Sequence, residues 1–153
     1  MGCTNSKPKP KRIEPFGERY VLRVAMSTNK EGRYASSAIL YHKSCSIGYD
    51  TFRHDSEECP GLLAYGMGLD LAIKTLGKKT RETELHVETH HVELLSALDD
   101  PEFHDETILF LERKFDNIRR YYISNQDNHL AISMCKYVAS KKIEPRDPQY
   151  VEW

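Results

Sequence analysis

The sequence has no long uninterrupted apolar run, and this absence limits how the chain can meet a membrane. Nowhere do its 153 residues contain the roughly 18 consecutive apolar residues of a transmembrane helix. The amino terminus also lacks the apolar segment of a secretory signal peptide. A hydrophobic content of 39% and a charged content of 29% are ordinary for a globular domain. We therefore expect one globular domain with short tails.

Closely spaced cysteines are also absent. The four cysteines stand far apart and form no CxxC motif; they are Cys3, Cys45, Cys59 and Cys135. Without a secretory signal, reduced thiols in a cytosolic setting are the better interpretation. We expect no structural metal and no cofactor.

The net charge is close to zero, but the charges are unevenly distributed. The whole chain carries a formal charge of −1, whereas residues 1–19 hold five basic and two acidic side chains and carry +3. The rest of the chain therefore carries −4. A mildly acidic body with a basic leader is not the general charge profile of a nucleic-acid-binding protein. Nucleic acid remains an open partner but not the favoured one.

The first twelve residues, MGCTNSKPKPKR, match the N-myristoylation pattern M-G-x-x-x-[ST]. Removal of Met1 exposes Gly2, and Ser6 occupies the required position. One myristoyl chain gives membrane binding of only about 10⁴ M⁻¹, so stable attachment needs a second signal. The thiol of Cys3, a candidate for palmitoylation, is one such signal. A basic cluster that attracts anionic lipid is another, formed by Lys7, Lys9, Lys11 and Arg12.

The prolines of the leader favour an extended spacer, so we assign residues 1–18 to an acylated, basic leash. This segment resembles the acylated leader of Src-type kinases, a resemblance that implies membrane targeting rather than an enzymatic activity. The alternative is a disordered basic tail that happens to begin with Met-Gly-Cys. We expect the chain at the cytoplasmic face of a membrane, most simply the plasma membrane.

Hydrophobic periodicity divides residues 19–142 into alternating strands and helices. Alternating side chains along residues 19–26 predict a first strand, and four further short segments are predicted as strands, over residues 34–42, 46–52, 84–88 and 118–124. Apolar spacings of three and four predict helices that begin near residues 60, 90, 104 and 129. Two glycines in the first helix, Gly66 and Gly68, make sense if its backbone lies close against a sheet.

The last predicted helix covers residues 129–142. Its expected apolar face consists of Leu130, Met134, Tyr137 and Val138. Residues 143–153 contain Pro145 and Pro148, and we predict an irregular tail there. Three strands followed by alternating helices and strands indicate an α/β fold, a mixed sheet with helices on its faces.

This order of elements resembles the ribonuclease H fold, a mixed five-stranded sheet with strands 1–3 antiparallel and flanking helices. Local motifs carry the resemblance. Residues 61–64 (GLLA) resemble the start of that family's first helix, and residues 85–92 (LHVETHHV) resemble its fourth strand. Residues 128–131 (NHLA) resemble the opening of its last helix.

The resemblance implies cleavage of the RNA strand of an RNA–DNA hybrid, which requires about four carboxylates around two divalent ions. The positions of those carboxylates fall on Met26, Gly61, Glu88 and Asn128. Only Glu88 keeps a carboxylate, and two divalent ions need more negative charge than that. We therefore predict no catalytic residues, that is, a pseudo-ribonuclease H. The alternative is rescue of the metal site by Glu58, Asp50 or Asp127.

Two further clusters are candidates for binding. His86, His90 and His91 lie near Glu88 and could form a zinc site, but no regular ligand spacing appears, so solvated polar side chains at a sheet edge are favoured. A second cluster combines guanidinium and aromatic groups that can stack on single-stranded nucleic acid; it consists of Arg119, Arg120, Tyr121 and Tyr122. On a strand, only alternate members of this set share a face.

The sequence therefore predicts a non-catalytic, membrane-tethered interaction module with a protein partner that the sequence does not name. Sheet edges, residues 119–122 and residues 149–153 are the candidate contact surfaces. One alternative is a protein of the same fold that binds or weakly cuts RNA or hybrids at a membrane. Another is a viral accessory factor that acts on host defence.

Overall fold

The computed structural model describes residues 19–28, 34–54 and 60–140. The strands are β1 (Tyr20–Thr28), β2 (Tyr34–His42), β3 (Cys45–His54), β4 (Glu84–Thr89) and β5 (Asn117–Tyr122). The helices are α1 (Pro60–Leu76), α2 (Val92–Asp99), α3 (Glu106–Glu112) and α4 (His129–Ser140), with a 3₁₀ turn over Gly77–Glu82. This confirms the predicted order of strands and helices. The leash of residues 1–18 and the tail of residues 143–153 lie outside the described residues. Within the described ranges, no helix is long and apolar enough to cross a membrane.

The five strands form one mixed sheet in the order β3-β2-β1-β4-β5. β1, β2 and β3 are antiparallel neighbours, whereas β4 runs parallel to β1 and β5 runs parallel to β4. The predicted mixed five-stranded sheet is therefore confirmed. Because Val24 is paired with Thr89, the carboxyl ends of β1 and β4 lie side by side at one edge of the sheet, which we call the carboxyl edge. The amino ends of these strands lie at the opposite, amino edge.

Helix α1 packs on one face of the sheet, with α2 and α3 beside it. The backbone of α1 lies close to the strands at Gly68, where a Cβ atom would be 2.9 Å from both Leu22 Cδ2 and Val24 Cγ1. This confirms the close approach that the helical glycines predicted. Asp70 of α1 is a buried acid, since it is only 5% exposed, and its carboxylate is 2.7 Å from Lys74 Nζ.

Helix α4 covers the other face of the sheet, over β1, β2 and β3. Its buried stripe is made of small side chains, namely Ala131, Cys135, Val138 and Ala139. The predicted apolar face is therefore partly wrong, because Leu130 is 53% exposed and Tyr137 is 61% exposed. Small residues let α4 approach the sheet closely, and the larger apolar side chains lie along its border instead.

The two described cysteines are both free thiols in contrasting environments. Cys45 is exposed, whereas burial raises the pKa of Cys135 to about 12 and its thiol donates to Ser37 Oγ at 3.1 Å. Since the thiolate is the reactive form, we predict that N-ethylmaleimide alkylates Cys45 in the folded chain and leaves Cys135 unmodified until denaturant is added. Peptide mass mapping measures this, and equal labelling of the two cysteines in the native chain would contradict it.

Candidate functional site

The carboxyl edge of the sheet brings three elements together at the carbonyl oxygen of Val24: β1 itself, the end of β4 and the start of α4. That oxygen accepts a hydrogen bond from Thr89 Oγ1 at 3.0 Å, at the end of β4. It also accepts one from Asn128 Nδ2 at 2.9 Å, immediately before α4. Met26, two residues further along β1, packs against the core on the α1 side. This convergence follows from the parallel pairing of β1 and β4, which places the carboxyl ends of the two strands side by side.

Asn128 and His90 form a partly buried amide–imidazole pair at this edge. Asn128 is 1% exposed, and its Nδ2 lies 3.0 Å from His90 Nδ1. An amide nitrogen can only donate, so Nδ1 of His90 accepts the bond and the proton of the neutral ring is on Nε2. The pair is therefore uncharged. Asn128 Oδ1 is buried and has no hydrogen-bond partner among the described residues.

Burial, and secondly the proximity of His91, lower the pKa of His90 below its ordinary value. The unfolded chain thus binds more protons than the folded chain between the two pKa values, so this group's contribution to stability is present above about pH 6.5 and lost as the pH falls. We predict that NMR titration of the folded chain gives His90 a midpoint below about 6.5, and that in the urea-unfolded chain the midpoint returns to about 6.5. A native midpoint at or above that of the unfolded chain would contradict this prediction.

The start of α1 meets the same edge at Gly61. A Cβ atom at this position would be 3.1 Å from both Cε1 and Nδ1 of His91 and 3.3 Å from Leu94 Cβ. His91 is fixed there because its Nδ1 accepts a hydrogen bond from Leu94 N at 3.2 Å and caps the start of α2. The imidazole thus occupies the space that a longer side chain at position 61 would need.

Glu88 lies on the opposite face of the sheet from the Met26 side chain and α1. The Oε1 atom of Glu88 is 2.9 Å from Nε of Arg23, the residue of β1 with which Glu88 is paired in the sheet. Arg23 also donates to the backbone oxygen of Asp127 at 2.8 Å. The structure therefore places His90, rather than Glu88, beside Asn128. Of the rescue candidates, Asp50 lies on the edge strand β3, away from β4, and Glu58 is outside the described residues.

The histidines of the predicted cluster have three different partners. His86 Nε2 contacts Glu84 Oε2 at 2.5 Å and its ring packs against Tyr121, whereas His90 contacts Asn128 and His91 caps α2. No group of three or more histidine, cysteine or acidic side chains in the described ranges is arranged to hold a metal ion.

Strand β5 separates the four predicted binding residues onto two faces. Arg120 points toward the helices, where it donates to Glu112 Oε2 and, at 3.3 Å, to the hydroxyl of Tyr65. Arg119 and Tyr121 face the other side, beside His86 and beyond the region covered by α4. Tyr121 is 40% exposed, and Tyr122, on the helix side, is 59% exposed. Arg120 is thus engaged in contacts within the fold. Of the four predicted binding residues, only Arg119 and Tyr121 remain together on the face of β5 that α4 leaves uncovered.

Comparison with known proteins supports a fold and no closer relationship. No protein-family model matches the sequence, and no curated protein matches it either. Solved structures do match. The N-terminal RNase H domain of a Mycobacterium tuberculosis protein, determined as a fusion with maltose-binding protein, has a TM-score of 0.57 at 13% identity. The match covers 80% of this chain and 94% of that one.

RNase H1 from the archaeon Halobacterium salinarum also gives a TM-score of 0.57, at 12% identity, over 78% of this chain and 96% of that one. The chain has the ribonuclease H fold. A foamy viral protease–reverse transcriptase, solved in complex with an RNA/DNA hybrid, matches with a TM-score of 0.57 at 9% identity. That match covers 92% of this chain and 22% of the viral one.

Within the ribonuclease H fold, three of the four positions assigned by resemblance meet at the carboxyl edge. Met26, Gly61 and Asn128 lie there, and His90 occupies the place next to Asn128. Sequence reasoning missed the His90–Asn128 pair because its members are 38 residues apart and belong to different motifs. The end of β4 could have indicated His90. Thr89 is the last residue of this buried strand, so the side chain that follows it lies at the carboxyl edge.

Proposed function

We propose that this chain is a non-catalytic, membrane-tethered interaction module built on a ribonuclease H-like domain. The uncharged pair of His90 and Asn128 at the carboxyl edge is the observation that carries the proposal. Two-metal hydrolysis needs carboxylates that hold two divalent ions about 4 Å apart. The residues found at this edge do not fit such ions, because a thioether, a glycine and an amide stand at three of the four carboxylate positions and the imidazole of His90 lies beside the amide.

The surrounding contacts support the loss of the metal centre. The ring of His91 fills the space beside Gly61, so a glutamate at that position would displace the cap of α2. Glu88 is held by Arg23, which offsets its negative charge. A divalent ion would therefore meet few oxygen ligands at this edge and would not be stably bound.

The membrane half of the proposal rests on the leader sequence. Gly2, Cys3 and the basic cluster combine the two signals that stable attachment requires. The leader joins the domain at the start of β1, the amino edge of the sheet. Asn128 bonds to the carbonyl of Val24, four residues beyond Tyr20, so the tether point and the His90–Asn128 pair are separated by about 13 Å along β1. A tethered domain can thus present its carboxyl edge away from the lipid.

A cleavage assay tests the non-catalytic half. We expect the full chain to leave a labelled RNA–DNA hybrid intact in the presence of Mg²⁺ or Mn²⁺. Halobacterium salinarum RNase H1 serves as the positive control under the same conditions. Metal-dependent cleavage that is abolished by Glu88→Gln or Asp127→Asn would overturn the proposal, because it would show that these carboxylates hold catalytic ions.

Nucleic-acid binding without cleavage is the second candidate function. The foamy viral neighbour was solved with an RNA/DNA hybrid, and Arg119 and Tyr121 lie together on the open face of β5. Stacking of one base on an aromatic ring contributes about 1–3 kcal/mol. If this face binds nucleic acid, Tyr121→Ala should weaken binding at least fivefold in fluorescence anisotropy, whereas Tyr122→Ala, on the opposite face, should not. Equal effects would exclude this face.

A further inference from the structure

An apolar groove runs between α4 and the edge strand β3. Its volume is about 440 Å³, within the range of small-molecule sites. Ile39 and Val138 form the buried floor, and the walls carry Tyr49 from β3 with Leu130, Met134 and Tyr137 from α4. Three of these side chains are more than half exposed: Tyr49, Leu130 and Tyr137. Apolar side chains concentrated in one concave site indicate that something covers them.

The lining favours an aliphatic ligand over a peptide or a nucleic acid. None of the described residues that line the groove is charged, and its polar members are the hydroxyl residues Ser46, Thr51 and Ser133. A nucleic acid would need basic side chains, and a charged peptide would need ion-pairing partners. A saturated acyl chain needs only apolar contact. Met134 suits such a ligand because the methionine side chain adapts to irregular shapes.

The point where the leader joins the domain, at the start of β1, lies close to this groove. Tyr20, at the beginning of β1, is paired with His42, and His42 is paired with Cys45, the neighbour of Ser46 in the groove. The base of the leader is thus two strands, about 10 Å, from the end of β3 that borders the groove. Gly2 precedes Arg19 by 17 residues, which can span up to about 56 Å when extended. The leader is therefore long enough for Gly2 to reach the groove.

We infer that the groove binds the myristoyl chain of Gly2 when the protein is off the membrane. This inference rests on the proposed acylation of the leader. The myristoyl chain would exchange between the groove and lipid. The apparent membrane affinity of the protein would then equal its intrinsic affinity multiplied by the fraction of molecules whose myristoyl chain is outside the groove. The basic cluster of the leader remains available for the first contact with anionic lipid in either state.

Methyl NMR tests the inference directly, because Met134 lies in the groove while Met26 and Met67 pack in the core on the other face. The full chain is labelled on its methionine methyl groups and compared with and without enzymatic N-myristoylation. We expect the Met134 resonance to shift on acylation and the Met26 and Met67 resonances to stay in place. Sodium myristate added to the unacylated chain should shift the same resonance.

A vesicle assay supplies the functional measurement. Leu130→Gln should weaken the groove and raise binding of the acylated chain to phosphatidylserine-containing vesicles about threefold or more. Val92→Gln, at an exposed apolar position of α2 outside the groove, is the matched control and should change nothing. Neither variant should alter binding of the unacylated chain.

The outcomes separate this inference from the proposed tether. Failure of the chain to accept myristate, read by mass, would overturn both the tether and the intramolecular ligand. Acylation without any Met134 shift would overturn the groove alone. A Met134 shift caused by Trp153→Ala would assign the groove to the carboxyl-terminal tail, and a shift that depends on protein concentration would assign it to a second copy. Either result would overturn the inference.

Discussion

Substitution of Gly2→Ala should release the chain from membranes. N-myristoylation requires the amino-terminal glycine, and the acyl chain alone contributes binding of about 10⁴ M⁻¹. Without it, Cys3 is not held at the lipid surface and only the basic cluster remains, at about 1 kcal/mol per residue. We expect the membrane-bound fraction in cells to fall at least about tenfold, together with loss of labelled myristate from the chain.

Two further variants identify the second signal. Cys3→Ser should keep the myristate label and give partial, reversible membrane binding, since one acyl chain is marginal by itself. Replacing Lys7, Lys9, Lys11 and Arg12 by Gln should weaken binding most at low ionic strength, because attraction to anionic lipid is screened by salt. Myristate labelling that persists in Gly2→Ala, or an unchanged membrane fraction, would remove the tether from this account.

Substitution of Glu112→Ala should lower the free energy of unfolding more than substitution of any exposed Asp or Glu in the described residues. The Glu112 carboxylate accepts a hydrogen bond from the Tyr65 hydroxyl at 2.6 Å and pairs with Arg120. This links α1, α3 and β5 at a place where the side chains of Glu112 and Arg120 are only 16% and 23% exposed. Burial raises the pKa of Tyr65, so its hydroxyl remains a donor throughout the accessible pH range.

Removal of one partner from this partly buried ion pair leaves the Arg120 charge without its carboxylate and costs about 3 kcal/mol, the lower end of the range for buried pairs. With a urea m-value of about 1–3 kcal/mol/M, the midpoint of unfolding should fall by about 1–3 M. Glu106→Ala is the matched control on the same helix, because Glu106 is 90% exposed and its contact with His104 is 4.0 Å long. Equal midpoints for the two variants would show that the Tyr65–Glu112–Arg120 link does not hold the helices to β5.

The strands and helices were predictable because their patterns are local. Alternation along residues 19–26 predicts a strand, the order of strands and helices predicts a sheet with helices on its faces, and the structure confirms both. The stripe of α4 was not predictable in the same way. Hydrophobicity favours Leu130 and Tyr137, but close packing against the sheet selects the smaller Ala131 and Cys135. The groove is a direct consequence of that choice.

The contacts of the candidate site were less accessible to sequence reasoning. The resemblance located Met26, Gly61 and Asn128, and these positions do meet at the carboxyl edge. The resemblance assigned the position on β4 to Glu88 and so did not locate His90. His90 is two residues further along, beyond the end of the strand, and therefore lies at the edge. The link between Tyr65, Glu112 and Arg120 joins three elements and leaves no local pattern at all.

The absence of a two-metal centre is the claim on which the function depends, and anomalous diffraction from Mn²⁺-soaked crystals tests it most directly. Halobacterium salinarum RNase H1, soaked in the same way, provides the comparison. We predict no pair of manganese peaks around Met26, His90 and Asn128, because thioether, imidazole and amide groups offer few of the oxygen ligands that hard divalent cations require. Two peaks about 4 Å apart, coordinated by acidic side chains of this domain, would contradict the account and identify the chain as a nuclease.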